Sequence, residues 1–577
     1  MYARMGTILG VSTTHDSGAA IVRDGAIVAA ANEERFNRTK HYGYLPFESI
    51  EYCLAEADVD TADLDAVALP SEVVRADARQ LLDADLTTTN VSSDPLPLKE
   101  KAVLTAGETA LRVSSWNTRI PEYARTVDFP AELDVRLVNH HESHAATAYY
   151  CCGHDDALVI TLDGLGDRLS GSVWIGEEGE LRNLRQWDRT GSLGWFYGVV
   201  TQALGWWIGN GEGKTMGLAS YADPTPDAKR ALRRIMPEYR DGDLVDGYDF
   251  SQASSWRVRD THHWSFDEAE YVEKVINRYG REVVAASAQA LLEEQVLNIV
   301  RPWIRKTDAQ YLATAGGTFL NVQVNSHIIE QTDVEDYFIF PNAGDGGLPT
   351  GAALSAYRYE QPEFRPFRLS HPYYGPDITT GVPDAFTDRQ LAFEEPDDIV
   401  ERCADLLADG QIVAWCQGRM EYGPRALGNR SILIDPTKDD SMDRVNKRVK
   451  FRDSWRPFAP SILEEAMDEY LVDPTYDPFM ITSYTVKEEK RDELPAVTHV
   501  DDTTRPQVVR REVNERYWEL IDSFADRTGT PVVLNTSFNL SGDPIVCTPI
   551  DAIETFYASG LDALAVSDYL FTKESDE

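Results

Sequence analysis

Three histidines fall within five residues in the run Asn139-His140-His141-Glu142-Ser143-His144. On a helix, positions four apart lie on one face, so the rings of His140 and His144 could grip a single metal ion. Three of only 11 histidines in so short a span argues against chance. Further ligands can come from two acidic loops, Asp163-Gly164-Leu165-Gly166-Asp167 and Asn342-Ala343-Gly344-Asp345-Gly346-Gly347. Their glycines permit turns tight enough to bring a carboxylate to the ion. Two His with one or two Asp suit iron(II) as well as zinc.

A second constellation is basic. Gly418-Arg419-Met420-Glu421-Tyr422-Gly423-Pro424-Arg425-Ala426-Leu427-Gly428-Asn429-Arg430-Ser431 leads on to Asn446-Lys447-Arg448-Val449-Lys450-Phe451-Arg452 and Trp455-Arg456-Pro457-Phe458. Cations concentrated in a chain that otherwise avoids them imply a polyanionic ligand. Asn535-Thr536-Ser537-Phe538-Asn539 follows an apolar strand, a common ligand position in α/β sheets. Gly316-Gly317 also follows a strand, where glycines would let backbone N–H groups approach a phosphate. The string Gly209 to Thr215 looks like a P-loop ending, but Ile208 stands where its first glycine is required, so that site is rejected.

The elements that must position these residues repeat. Thr7 to Ser12 reads as a buried strand, followed by two short apolar runs across Asp24-Gly25, a hairpin signal. The arrangement returns with Ala157 to Leu162, then Ser170 to Gly176, a turn at Glu178-Gly179, and Leu181 to Arg185. This period is too long for a solenoid and reads as two copies of one α/β lobe, as in actin-like and sugar-kinase-like ATPases. Pro362, Pro366, Pro372, Pro376, Pro383 and Pro396 then mark a connector. The expected division is 1–365 for the duplicated lobes, 366–397 for the connector and 398–577 for a second α/β domain.

Composition narrows the classes. With 55 Lys+Arg against 96 Asp+Glu the formal net charge is −41, spread along the chain, with only 13 Lys. Such a surface suits a high-salt cytoplasm, pointing to a halophile, and it argues against nucleic-acid binding. No apolar run is long enough for a membrane span, and the first residues lack a signal-peptide core, so the expected place is the cytoplasm. None of the six cysteines forms a CxxC pair; free buried thiols are expected.

Together these segments resemble the O-carbamoyltransferases of nodulation and of aminoglycoside and cephamycin tailoring. The matching pieces run from Gly10 to Gly18, through Glu34-Arg35-Phe36, Asn139 to His144, Asp163-Gly164 and Gly316-Gly317, to Asp345, Gly418 to Ser431, Arg456 to Pro460 and Asn535 to Asn539. The resemblance implies a threonylcarbamoyl-transferase-like N-terminal domain and a C-terminal domain like the threonylcarbamoyl-adenylate synthases. It implies that carbamoyl phosphate and ATP give carbamoyl adenylate in the second domain. The carbamoyl group then passes to a hydroxyl of a small, sugar-like acceptor at a metal site in the first, releasing AMP. Carried over residue by residue, it makes His140, His144, Asp163 and Asp345 the ligands of a divalent metal, iron(II) ahead of zinc or magnesium. His15 would be a general base or an orienter of substrate. Lys447 and Arg425 would serve catalysis, and Gly316, Gly317, Arg419, Arg430, Asn535 and Ser537 would bind ligand. A homodimer is compatible with it. The alternatives are a sugar or small-molecule kinase of the duplicated-lobe fold, and a catalytically idle binding protein.

The charge carries its own expectation. Stability and activity should rise from dilute buffer toward molar salt, because screening relieves self-repulsion. A melting temperature that is flat or falls over that range would overturn the high-salt reading.

Overall fold

The computed structural model describes residues 6–73, 87–99, 101–102, 104–105, 127–130, 132–258, 261–379, 382, 386, 391–452 and 455–573. The chain divides into two compact units, 1–369 and 370–577.

The first unit opens with an antiparallel meander of β1 (Thr7–Ser12), β2 (Gly18–Arg23) and β3 (Ala26–Asn32). Its second turn is Asp24-Gly25, with φ of 57° and 79°, the left-handed pair that such a turn requires. The strands β4 (Ala66–Leu69), β5 (Thr87–Asn90) and β6 (Asp134–Leu137) continue the sheet parallel to β1, in the order β3-β2-β1-β4-β6-β5. A second sheet repeats the plan. The strands β7 (Ala157–Gly166), β8 (Leu169–Glu177) and β9 (Glu180–Asp188) form the meander, turning at Glu178-Gly179. Then β10 (Tyr311–Ala315) and β11 (Asp336–Ile339) extend it in parallel. The unit is thus the duplicated actin-like, sugar-kinase-like α/β fold that the repeat predicts.

Two helices tie the lobes together, α1 (His140–Cys152) and α3 (Leu348–Glu360), while a long helix between them in sequence, α2 (Arg281–Thr307), packs within the second lobe. All residues of α1 are buried. It packs on β7 and β10, α3 packs on β1, β2 and β4, and the two helices pack on each other. The approach is at backbone distance: a Cβ at Gly351 would stand 1.8 Å from the Ser143 carbonyl oxygen, and one at Gly10 1.8 Å from that of Pro349. By length and composition α2 could cross a membrane, but 67% of its apolar window is buried within the protein.

The second unit is built on one mixed sheet. Its strands are β12 (Val413–Cys416), β13 (Arg430–Ile434), β14 (Ala459–Leu463), β15 (Gln507–Val509), β16 (Val532–Ser537), β17 (Ala563–Val566) and β18 (Tyr569–Thr572). They lie in the order β15-β14-β16-β13-β12-β17-β18. The helices α4 (Ile399–Ala408) and α5 (Glu515–Thr528) bury their apolar faces in one core with Trp415, Leu433 and Val533. Part of the proline-rich stretch is built into this unit. Tyr373–Asp377 pairs with Arg419–Glu421, and Ile378, Val382 and Phe386 are buried in a core on the same sheet. Pro383 lies outside the described residues. All six cysteines are buried and free, as their sequence contexts predict.

The contact between α1 and α3 has a direct test. Gly351→Ala should lower stability by about 1–3 kcal/mol or more, since the new methyl would have to displace backbone. Thermal unfolding of the variant at wild-type temperature would mean that the close approach is not maintained.

Candidate metal centre and cation cluster

The metal candidates are positioned by the ends of regular elements. Asn139 caps α1, its side chain accepting from the backbone N–H groups of His141 and Glu142, so the histidines occupy the first turns. His140 and His144 present Nε2 on one face, and Asp163 and Asp345 come from the end of β7 and the turn before α3. His140 Nε2 lies 3.4 Å from an Asp163 carboxylate oxygen and 3.7 Å from one of Asp345, and His144 Nε2 lies 3.7 Å from Asp345. The four donor atoms lie within 4.8 Å of one another. Metal–ligand bonds near 2.1 Å space neighbouring donors by roughly 3 to 4 Å, so the set is of the right size. Both Nε2 atoms are buried without a hydrogen-bond partner, which is costly unless a further group completes them. The residues fit a metal ion.

Each ligand candidate is held from behind. Gly166 has no side chain because the His140 ring fills its place; a Cβ there would stand 2.0 Å from that ring. The backbone N–H of Gly317 donates to Asp163 Oδ1 at 2.9 Å. That N–H was expected to face a phosphate; it is instead engaged in aiming a carboxylate. Gly316, at φ 105°, lies where a Cβ would stand 2.3 Å from the Leu162 carbonyl, so it permits this approach to β7. Burial opposes charge on His140, but Asp345 and Asp163 outweigh it and push its pKa up. Burial also opposes charge on Asp163, yet the neighbouring histidines hold it far below the usual carboxylate range. The middle histidine is different. His141 bonds Thr161 Oγ1 at 2.8 Å and the Leu169 carbonyl at 3.0 Å, and burial followed by the neighbouring His140 and His144 lowers it to about 3. It is a neutral structural residue.

His15 lies in the turn between β1 and β2. Its Nδ1 is 2.7 Å from Asp16, and its ring stacks on His41 with centroids 5.2 Å apart. Burial lowers its pKa, but Asp16 outweighs this and leaves it raised to about 9. A pKa raised in this direction favours the imidazolium, a donor that orients, over the neutral base. A buried amide fixes this turn to the metal loop. Asn32 Nδ2 donates to the carbonyls of Asp16 and Gly346, both at 3.1 Å, and Asn342 Nδ2 donates to Asn32 Oδ1 at 3.2 Å. An aromatic strip runs beside the centre. Trp195 lies 3.6 Å from the Cβ position of Gly164, Trp264 is 5.2 Å from the His15 ring, and Trp207, 63% exposed, stands edge-on to His263.

In the second unit the basic run does not all face one ligand. Asn446–Lys450 forms a π-helical turn, which shifts the helical phase. Lys447 is therefore exposed and paired with Asp443 at 2.7 Å, whereas Lys450 is buried and donates to the Ser537 carbonyl at 2.5 Å and to Asn539 Oδ1 at 2.9 Å. Arg430 is wholly buried and donates to the carbonyls of Gln417, Gly418, Asn429 and Pro376, so it clamps loops. Arg419 likewise donates to the carbonyls of Tyr374 and Gly375. Asn535 is buried, with Nδ2 donating to Ala426 O, Ser461 Oγ and Gln507 Oε1. It braces the loop that carries Arg425.

Arg425 does gather with other cations. Burial and then Arg456 lower Arg425 to about 10, the same two causes lower Arg452 to about 9, and burial with Arg425 lowers Arg505 well below its ordinary value. Like charges this close, with Arg505 Nε buried and unpartnered, make a site that an anion would stabilise. Arg505 is the residue that sequence reasoning left aside, since it is an isolated arginine outside the basic run.

Two family models match this chain: the carbamoyltransferase N-terminus over residues 7–354 and the carbamoyltransferase C-terminus over 404–573. Nodulation protein NolNO of Sinorhizobium fredii is 36% identical over 585 residues, covering 97% of this chain and 79% of the relative. The 3'-hydroxymethylcephem-O-carbamoyltransferase of Amycolatopsis lactamdurans is 28% identical over 452 residues, covering 76% of this chain and 81% of the relative. A HypF structure, 13% identical, covers 62% of this chain and 56% of its own at a TM-score of 0.33, too slight a likeness to bear on this site.

Two neighbouring histidines separate a ligand from a brace. His144→Ala should reduce metal affinity by roughly 10²-fold or more, while His141→Ala should keep the metal and melt at a lower temperature. Elemental analysis after reconstitution with iron(II) or zinc reads the difference. Equal metal content in His144→Ala and wild type would remove this cluster as the centre.

Proposed function

The chain belongs to the carbamoyltransferase family and transfers carbamoyl groups, and from that premise we propose that it is an ATP-dependent O-carbamoyltransferase with two separate sites. The observation that carries this reading is the contrast between them. Residues 1–369 hold an imidazole and carboxylate cluster suited to a metal, and residues 370–577 hold a gathering of half-buried arginines suited to polyanions.

In the second unit Arg425, Arg452, Arg456 and Arg505 bind the phosphates of carbamoyl phosphate and ATP, and Lys450 holds the loop of Ser537 and Asn539 through three acceptors. Water releases phosphate from carbamoyl phosphate, the resulting carbamate oxygen attacks the α-phosphorus of ATP, and pyrophosphate leaves. These steps need positioned positive charge more than any proton carrier, which is what the cluster offers. In the first unit the acceptor hydroxyl attacks the carbamoyl carbon and the bond to the AMP oxygen breaks. The hydroxyl proton leaves on the AMP phosphate. A divalent metal held by His140, His144, Asp163 and Asp345 would supply Lewis-acid polarisation. His15 donates from Nε2 to orient the substrate. The strip of Trp195, Trp264 and Trp207 supports an acceptor with an apolar ring face and hydroxyls, as a sugar has. The cephem relative, by its name, carries the group on a hydroxymethyl oxygen.

The full chain given carbamoyl phosphate and ATP should release pyrophosphate and AMP; release of ADP would favour a kinase. Lys450→Ala should slow pyrophosphate release by about 10²-fold or more, whereas Lys447→Ala should leave it near the wild-type rate. The reverse ranking would mean that the π-helical turn does not choose the lysine.

A further inference from the structure

The metal cluster leaves a second group of titratable side chains unexplained. Asp16 lies between two histidines: Oδ2 is 2.7 Å from His15 Nδ1 and Oδ1 is 2.8 Å from His41 Nδ1. The two rings are stacked, with 16° between their planes. One carboxylate therefore accepts from two imidazoles, and each ring is turned so that its other nitrogen faces away. His15 Nε2 faces Gly209, where a Cβ would stand 3.3 Å away, and His41 Nε2 is buried without a hydrogen-bond partner.

The backbone is built to hold this fork. Asp16 and His41 adopt φ of 57° and 55°, a left-handed conformation that Asp, Asn and His tolerate better than most residues. The Ser17 N–H donates to the Tyr42 carbonyl at 2.8 Å, and the His41 N–H donates to Glu34 Oε2 at 2.7 Å, so the two turns are fastened together. Asn32 fastens the Asp16 carbonyl to Gly346, next to Asp345. Neither His41 nor Asp16 touches the metal candidates in any of these contacts.

We propose that Asp16 and His41 are positioning residues for the transfer step: the shared carboxylate keeps His15 in the Nδ1–H form with Nε2 aimed at the acceptor, and His41 fixes the carboxylate. The inference rests on the reading that transfer occurs in the first unit. A ring without an Nδ1 partner rotates, whereas a carboxylate at Nδ1 selects one orientation and with it the direction of the Nε2–H. The second histidine occupies the other carboxylate oxygen and covers the far face of the His15 ring. The carboxylate cannot then swing toward solvent.

Three variants of the full chain separate hydrogen bond from stacking. Asp16→Asn keeps a residue that accepts the left-handed backbone and removes the carboxylate. His41→Phe keeps a ring against His15 and removes the donor. His41→Gln keeps a donor and removes the ring. With histidine-labelled protein, long-range ¹H–¹⁵N spectra report which ring nitrogen carries the proton. AMP release with glycerol as the hydroxyl probe reports transfer, and pyrophosphate release reports the other unit.

In wild type both rings should show bonded Nδ1 protons. Asp16→Asn should lose both and slow AMP release by about 10²-fold or more through kcat, with pyrophosphate release unchanged. His41→Phe should slow AMP release in the same direction, and His41→Gln should restore it toward wild type. Unchanged His15 spectra in Asp16→Asn would overturn the inference. So would a His41→Phe enzyme with wild-type kcat, or one that loses a metal equivalent, since the group would then be a metal site. Pyrophosphate release without AMP release in wild type would instead sink the transfer reading, and the spectra would still decide the fork.

Discussion

Two buried imidazole nitrogens with nothing to bond set the terms for the first unit. Nε2 of His140 and of His144 are withdrawn from water inside a helix whose every residue is covered. An unsatisfied polar atom in such a place costs on the order of 1–3 kcal/mol, and this helix carries two. The surrounding structure is arranged around that demand. Gly166 gives up its side chain to the His140 ring, Gly317 directs the carboxylate of Asp163, and Gly351 lets α3 press against α1 so that Asp345 arrives from its N-terminal turn. The second lobe supplies one carboxylate from the end of β7 and another from the turn after β11, and α1 supplies the nitrogens.

The second unit has the opposite difficulty, an excess of one charge. Burial and then Arg456 lower Arg425 and Arg452, burial with Arg425, Arg452 and Arg456 lowers Arg505, and a bound polyanion would relieve that repulsion. Loop carbonyls take up the other cations. Arg430 is the clearest case, since a wholly buried guanidinium whose two terminal nitrogens donate to four backbone carbonyls works as a staple.

Much of this was legible in the sequence. The lobe repeat, both hairpin turns, the ligand spacing at His140 and His144 and the two acidic loops all follow from local rules of periodicity and turn chemistry. What was not legible depends on tertiary context. A π-helical turn moves the buried position from Lys447 to Lys450, and no 3.6-residue period foretells it. Arg430 looks the same in the sequence as Arg425, and only packing tells a staple from a ligand-facing cation. Gly316-Gly317 has the composition of a phosphate loop, but a carboxylate from another strand already holds its N–H. His41 was hidden because its partner lies in a different turn, brought near by the sheet.

One tie between the lobes has a consequence for motion. The carboxylate of Asp167, from the second lobe, accepts from Ser71 Oγ at 2.9 Å and the Glu72 N–H at 3.1 Å in the first, and from the His140 N–H at 3.0 Å. Asn32 makes a second tie, to Gly346. Hydrogen bonds to a buried charge are worth about 1.5–3 kcal/mol each, so swinging the lobes apart would break a costly set at once. Duplicated-lobe proteins can work as a clamshell; these rivets make that gesture expensive here.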